Sequence, residues 1–183
     1  MTTIMTSRLL LRGWRPEDLD PLAALDADPD VMRHIGDGST RTRAQTSATL
    51  ERIEGHWSEH GYGLFAVDLG STGEFIGWIG LATPNLLPEV MPTVEIGWRL
   101  ARAHWGAGLA TEGAQAVLRF GFIDRGLERI VSIRNVANHR SGRVMSKLGM
   151  QFDRMTTVPA IGSSVVVCAL TRDDYLARDS SHG

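Results

Sequence analysis

A mixed α/β or α+β fold, with a sheet flanked by helices, is what the sequence predicts, and three observations predict it. Strand-like and helix-like segments follow in the order ββαβαββ behind a helical N-terminal stretch, which excludes an all-helical bundle and an all-β sandwich. The run TVEIGWRL at 93–100 alternates as a half-buried strand does, and the glycine-rich HWGAGLAT at 104–111 then leads into a helix. The chain has 183 residues, 43% apolar and 22% charged, which suits one globular domain and not a fibre, a disordered tail or a disulfide scaffold. No repeat or linker divides it, so residues 1–183 are read as one domain, with its core at about 7–173 and a tail at 174–183.

Residues 7–14 (SRLLLRGW) read as the first strand. Pro16, Glu17 and Asp18 start a helix, because proline suits a first turn and acids suit the positive end of the helix dipole. That helix runs through Leu19, Leu22, Ala23 and Leu25 and fades near Asp28 and Pro29, with another turn at 29–35 before Gly36-Asp37-Gly38. Residues 42–60 form a largely polar second helix that carries Leu50, Ile53 and Trp57 at helical spacing. Strands at 62–69 and 74–81 flank Gly70-Ser71-Thr72-Gly73, a hairpin signal. Residues 83–92 hold three prolines and read as a loop. In the strand 93–100, Val94, Ile96, Trp98 and Leu100 lie on one side and Glu95, Gly97 and Arg99 on the other. A helix at 108–124, a strand at 128–134, a helix at 138–148 stopped by Gly149, and strands at 150–156 and 163–171 complete the chain.

Charge and cysteine usage narrow the partners. The net charge of −2 and the scattering of 19 basic residues, of which Lys147 is the single lysine, give no attraction for nucleic acid. A lone cysteine, Cys168, excludes an internal disulfide and fits a reducing, cytoplasmic setting. The N-terminal residues lack the apolar stretch of a signal peptide, and no window approaches the roughly 18 apolar residues of a membrane span, so no membrane association is expected. The six histidines show no metal-ligand spacing, no metal is expected, and His56 and His60 at i, i+4 read as a solvated helix face. Cys168, inside VVVCAL, reads as a small core residue, as do most of Trp57, Trp78, Trp98 and Trp105. No G-x-S-x-G elbow is present.

Two stretches carry chemistry. In His104, Trp105, Gly106, Ala107, Gly108, Leu109, Ala110 and Thr111, small residues expose backbone N–H groups beside a helix N-terminus, which makes either an anion cradle or a tight connection with glycines for geometry alone. It is not a P-loop, since no Gly-Lys-Ser/Thr follows, and Thr111 breaks the dinucleotide fingerprint. Asn138 and Ser141, at i, i+3, start a stripe that continues through Met145 and Leu148. On spacing alone they are an N-cap and a buried hydroxyl. Glu112, in a first helical turn, reads as dipole compensation.

Together, SRLLLRGWRPEDLDPL, DPDVMRHIG, VEIGWRLARAHWGAGLATEGAQAVLRFGF, NVANHRSGRVMSKLGM and SVVVCALTRDDY resemble the GNAT superfamily of acyl-CoA-dependent N-acetyltransferases. The nearest likeness is to the ribosomal-protein alanine acetyltransferase branch and its small-molecule relatives, where Trp-Gly, as at Trp105, replaces the general Gln or Arg. The resemblance implies a mixed, mostly antiparallel twisted sheet with a splayed CoA-binding cleft, acetyl-CoA as co-substrate and no metal. It implies that Trp105 to Thr111, meaning Trp105, Gly106, Ala107, Gly108, Leu109, Ala110 and Thr111, bind the CoA pyrophosphate. Trp98, Arg99 and Leu100 would pair with the pantetheine arm, and Asn138 would bond it. Ser141 would stand near the sulfur as general acid, and Glu95 is the candidate base, directly or through water; a solvated or salt-bridged strand residue beside Arg99 is the other reading of Glu95. The acceptor would be a primary amine, of a protein N-terminus or of a small molecule such as a polyamine, amino acid or aminoglycoside. Homodimers are common in proteins of this kind. A non-catalytic acyl-CoA-binding module on the same fold stays open beside the enzyme reading.

Overall fold

A computed structural model describes residues 2–179. Two short strands come first, β1 (Ile4–Met5) and β2 (Leu9–Arg12). A single 3₁₀ turn at Pro16–Asp18 leads into α1 (Leu19–Asp26), and α2 (Pro29–Met32) follows, capped by the Asp28 carboxylate, which accepts from the Asp30 N–H at 2.8 Å. α3 (Arg43–His60) opens with a capping box of Thr42 and Gln45. The hairpin of β3 (Leu64–Leu69) and β4 (Phe75–Ala82) closes through Leu69 N–H to the Glu74 carbonyl at 2.8 Å. After a loop come β5 (Val94–Leu100), α4 (Leu109–Arg119), whose end widens into a π turn at Phe120–Asp124, and β6 (Arg129–Asn135). α5 (His139–Lys147), β7 (Gln151–Thr157), β8 (Ser164–Thr171) and α6 (Arg172–Asp179) end the described chain.

The strands form one eight-stranded sheet in the order β1-β2-β3-β4-β5-β6-β8-β7. Every neighbouring pair is antiparallel except β5 and β6, which run parallel. Those two pair only at Val94 with Ile130 and Glu95 with Val131. β5 continues along β4 as far as Leu100, and β6 continues along β8 as far as Asn135, so the sheet opens between β5 and β6 beyond Glu95.

α4 packs flat on one face because its inner residues are small. Gly113, Ala114, Val117 and Leu118 are buried, and a Cβ on Gly113 would stand 2.4 Å from Ile79 Cδ1 and 3.2 Å from Leu9 Cδ1. A second contact zone is ionic. Asp26, fully buried at the end of α1, accepts from the Arg99 guanidinium on β5 and from Thr46 Oγ1 on α3 at 3.1 Å, with Arg41 Nη1 3.7 Å away. Arg99 also lies 5.1 Å from the centre of the Trp78 ring. Breaking such a buried pair leaves a desolvated charge, so Asp26→Asn is expected to cost about 3 kcal/mol of stability. Urea unfolding measures this; a loss within error of zero would mean that the pair contributes nothing net.

Several expectations need correction. Residues 174–179 of the expected tail belong to helix α6, with the Tyr175 ring tilted against Phe122 at 5.1 Å between centres, while 180–183 lie outside the described residues. β1 was not anticipated, and Trp14 lies beyond its strand, donating its indole N–H to the Leu64 carbonyl at 2.7 Å. Of the expected solvated pair, His60 is exposed but His56 is half-buried: their rings sit 4.3 Å apart and both pack on Tyr62, and burial lowers the His56 pKa. Cys168, Trp78, Trp98 and Trp105 are half-buried at the margin of the core, whereas Trp57 is buried in it. No helix among the described residues is long and apolar enough to cross a membrane.

Candidate active site

The chain leaves β5 through a 3₁₀ turn at Arg102–His104, passes Trp105, and enters α4 through Gly106-Ala107-Gly108. Gly106 and Gly108 have φ of 79° and 81°, a left-handed conformation that side chains rarely adopt, so this path needs glycine at both places. Gly106, Ala107 and Gly108 are exposed, Ala110 and Thr111 half-buried, and Leu109 buried as the anchor. The first N–H to bond back into the helix is that of Glu112, to the Gly108 carbonyl at 3.0 Å. The amides ahead of it have no partner within the helix and face the positive dipole end, as an anion requires. Trp105 spends its indole N–H on the Leu100 carbonyl at 2.7 Å, which ties the turn to the end of β5.

Glu112 is more than a dipole counterweight. Its carboxylate accepts from Thr6 Oγ1 (2.6 Å), Ser7 Oγ (3.0 Å), Arg8 N (2.9 Å) and Arg8 Nε (2.7 Å). Partial burial opposes the charge, but these bonds outweigh it and hold the carboxyl at about 2. Arg8 also donates from Nη1 to the Ala107 carbonyl at 2.9 Å. No local pattern in the sequence marks Arg8, because its partners lie about a hundred positions away.

At the base of the opening, Glu95 is the last residue of β5 that pairs with β6. Burial pushes its carboxyl up to about 7, against the opposing effect of a hydrogen bond from the Ile133 backbone. The reading of Glu95 as a salt-bridge partner of Arg99 is overturned, since the Arg99 guanidinium is committed to Asp26. The Arg99 backbone is committed too: Ala101 N–H bonds the Ile76 carbonyl opposite it, so by the alternation of an antiparallel ladder Arg99 pairs its own N–H and carbonyl with Trp78 of β4. Among the described residues, no strand pairs with 96–100 on the β6 side, so that edge offers the backbone groups of Ile96 and Trp98 and the N–H of Leu100, whose carbonyl already holds Trp105, to an extended ligand.

The start of α5 completes the constellation. Asn138 Oδ1 accepts the Ser141 N–H at 3.1 Å, so Asn138 is the N-cap and its carbonyl oxygen is engaged. Ser141 is half-buried, one end of the stripe that leads to buried Met145 and Leu148. Arg134 fixes the approach to α5 by donating to the carbonyls of Asn135 (3.1 Å) and Val136 (2.8 Å). The Arg140 guanidinium lies over the Trp105 ring at 4.9 Å, which puts the first turn of α5 against the glycine turn. The two stretches singled out in the sequence therefore meet at the mouth of the opening, with Glu95 at its base. Cys168 lies on β8, opposite Ser132 and Phe152, and burial pushes its thiol up. Among the described residues no three His, Cys, Asp or Glu side chains group as metal ligands.

The family model described as an acetyltransferase (GNAT) domain matches residues 8–151. The chain is 30% identical over 151 residues to the uncharacterized N-acetyltransferase p20 of Bacillus licheniformis, covering 82% of this chain and 83% of that protein. It is 30% identical over 191 residues to the FsC-acetyl coenzyme A-N(2)-transacetylase of Aspergillus fumigatus, covering 95% of this chain and 78% of that one. Among solved structures, a GNAT family acetyltransferase from Bacillus anthracis superposes with a TM-score of 0.79 at 25% identity, over 94% of this chain and 99% of the other. An acetyltransferase from Agrobacterium tumefaciens gives a TM-score of 0.77 at 29% identity, over 91% and 94% of the two chains.

Proposed function

The chain belongs to the GNAT acetyltransferase family, and on that premise we propose that it moves an acetyl group from acetyl-CoA directly to a primary amine. The observation that carries this reading is the opening between β5 and β6, with an unpaired strand edge along one side and the glycine turn at its mouth. Both features suit CoA. The turn offers amides to a pyrophosphate, and the edge at 96–100 offers hydrogen bonds to a pantetheine amide chain. Bound acetyl-CoA supplies an activated thioester; the rest of the chemistry is assigned to side chains of this chain. Glu95 takes the proton of the attacking amine, directly or through water, as the C–N bond forms. Its raised pKa suits a base that must change protonation near neutral pH. Ser141 gives a proton to the departing sulfur as the C–S bond breaks.

The acceptor is a protein N-terminal amine or a small-molecule amine. The relative named as acting from acetyl coenzyme A on an N(2) position supports the donor and an amine-type acceptor. A panel of amines and N-terminal peptides, with CoA thiol release as the signal, tests the proposal. Amine-dependent release is expected; CoA binding with no release from any acceptor would make the protein a binding module instead. Transfer is expected to be sequential, with no acetyl-cysteine, because the Cys168 thiol is held protonated on β8. Cys168→Ser should keep most activity, and ping-pong kinetics lost in that variant would overturn direct transfer.

A further inference from the structure

We infer that Arg8 is a positioning residue for the glycine turn, which it holds in an anion-accepting shape while neutralising the acid at its edge; the inference rests on the proposal that the turn receives the CoA pyrophosphate. A turn with two left-handed glycines has a large choice of backbone conformations, and something must select one. Arg8 spans the junction where turn becomes helix, with Nη1 on the Ala107 carbonyl and Nε on Glu112. Binding the Ala107 carbonyl keeps that negative dipole end turned to a cation and away from the ligand, so that the neighbouring amides face the anion.

The charge arrangement makes a second, independent argument. Glu112 is fully ionised at neutral pH, in the first turn of the helix that would receive a dianionic pyrophosphate. Alone it would repel that ligand. Arg8 cancels it, and Nη2 is left 3.6 Å from the place a Cβ would take on Gly108, at the lip of the turn.

The experiment compares acetyl-CoA with acetyl-pantetheine, which lacks the pyrophosphate and nucleotide, and adds calorimetric titration with CoA. Arg8→Ala should weaken CoA binding and raise the KM for acetyl-CoA roughly 10- to 100-fold, the range for a lost charged hydrogen bond. The kcat should move little, and kcat/KM for acetyl-pantetheine should stay as in the unaltered protein. Arg8→Lys, which cannot bridge Ala107 and Glu112 at once, should fall between. Adding Glu112→Gln to Arg8→Ala should recover part of the CoA affinity, a rescue that a purely structural role would not produce. An equal loss with both donors, or no loss with either, overturns the inference while leaving the cradle intact. If the unaltered protein shows no preference for acetyl-CoA over acetyl-pantetheine, the cradle itself falls, and the role of Arg8 with it.

Discussion

Gly108→Asp is expected to abolish CoA binding while the protein still folds. The φ of 81° at Gly108 strains an aspartate by roughly 1–2 kcal/mol, but the position is an exposed N-cap and the core is not disturbed, so the fold survives the strain. The new side chain would leave from a point 3.6 Å from Arg8 Nη2 and would pair with that guanidinium. It would thereby occupy the lip of the turn with a carboxylate where the ligand brings two or more negative charges. Gly113→Ala is no neutral companion, because its Cβ would meet Ile79 Cδ1 at 2.4 Å in the α4–sheet contact. Gly55→Ala is: the position is exposed in the middle of α3, nothing lies within 4 Å of the added Cβ, and removing glycine from a helix adds roughly 1 kcal/mol of stability. Titration with CoA and thermal melts without ligand separate the effects. A folded Gly108→Asp protein that still binds CoA would show that the turn is not the cradle.

Glu95→Gln should lower turnover roughly 100- to 10,000-fold, the usual worth of general acid–base assistance, with CoA affinity nearly unchanged. The unaltered enzyme should gain kcat/KM as pH rises through about 7 and then level off, and this rising limb should vanish in the variant. Stability should move the other way. The folded carboxyl keeps its proton up to about 7, against an ordinary value of 4.5, so the folded state binds more protons between those values and stability falls as pH rises across them. The difference corresponds to roughly 3 kcal/mol above pH 7. Glutamine removes that cost, so the variant should be the more stable protein at pH 8 and the two should converge towards pH 4.5. Turnover that matches the unaltered enzyme would leave Glu95 a structural residue.

Local pattern made much of this fold legible. The alternation of 93–100, the glycines of the β3–β4 hairpin and the Asn138 to Gly149 interval each encode their element within a few residues, and the structure reproduces them to within a residue or so. What was not legible depends on partners distant in the chain. Arg8 reads as one more arginine until Glu112 and Ala107 are folded against it, and Arg99 reads as a strand residue beside Glu95 until Asp26 claims it. α6 is polar and short, with Tyr175 as its visible anchor, so neither periodicity nor a stop signal announced it. The glycine turn and α5 were each recognisable, but their meeting through Arg140 and Trp105 is a product of topology.

The two rungs that join β5 to β6 make the sheet, mechanically, a pair of panels with a seam. Five strands, β1 to β5, form one panel and three, β6, β8 and β7, form the other. Away from the seam each panel is laced by long antiparallel ladders, so any breathing of the sheet concentrates at the seam. A ligand laid along 96–100 would lengthen that seam, acting as a splint between the panels. Donor recognition and stiffening of the molecule would then be one event, and the free protein would be at its most compliant where its chemistry takes place.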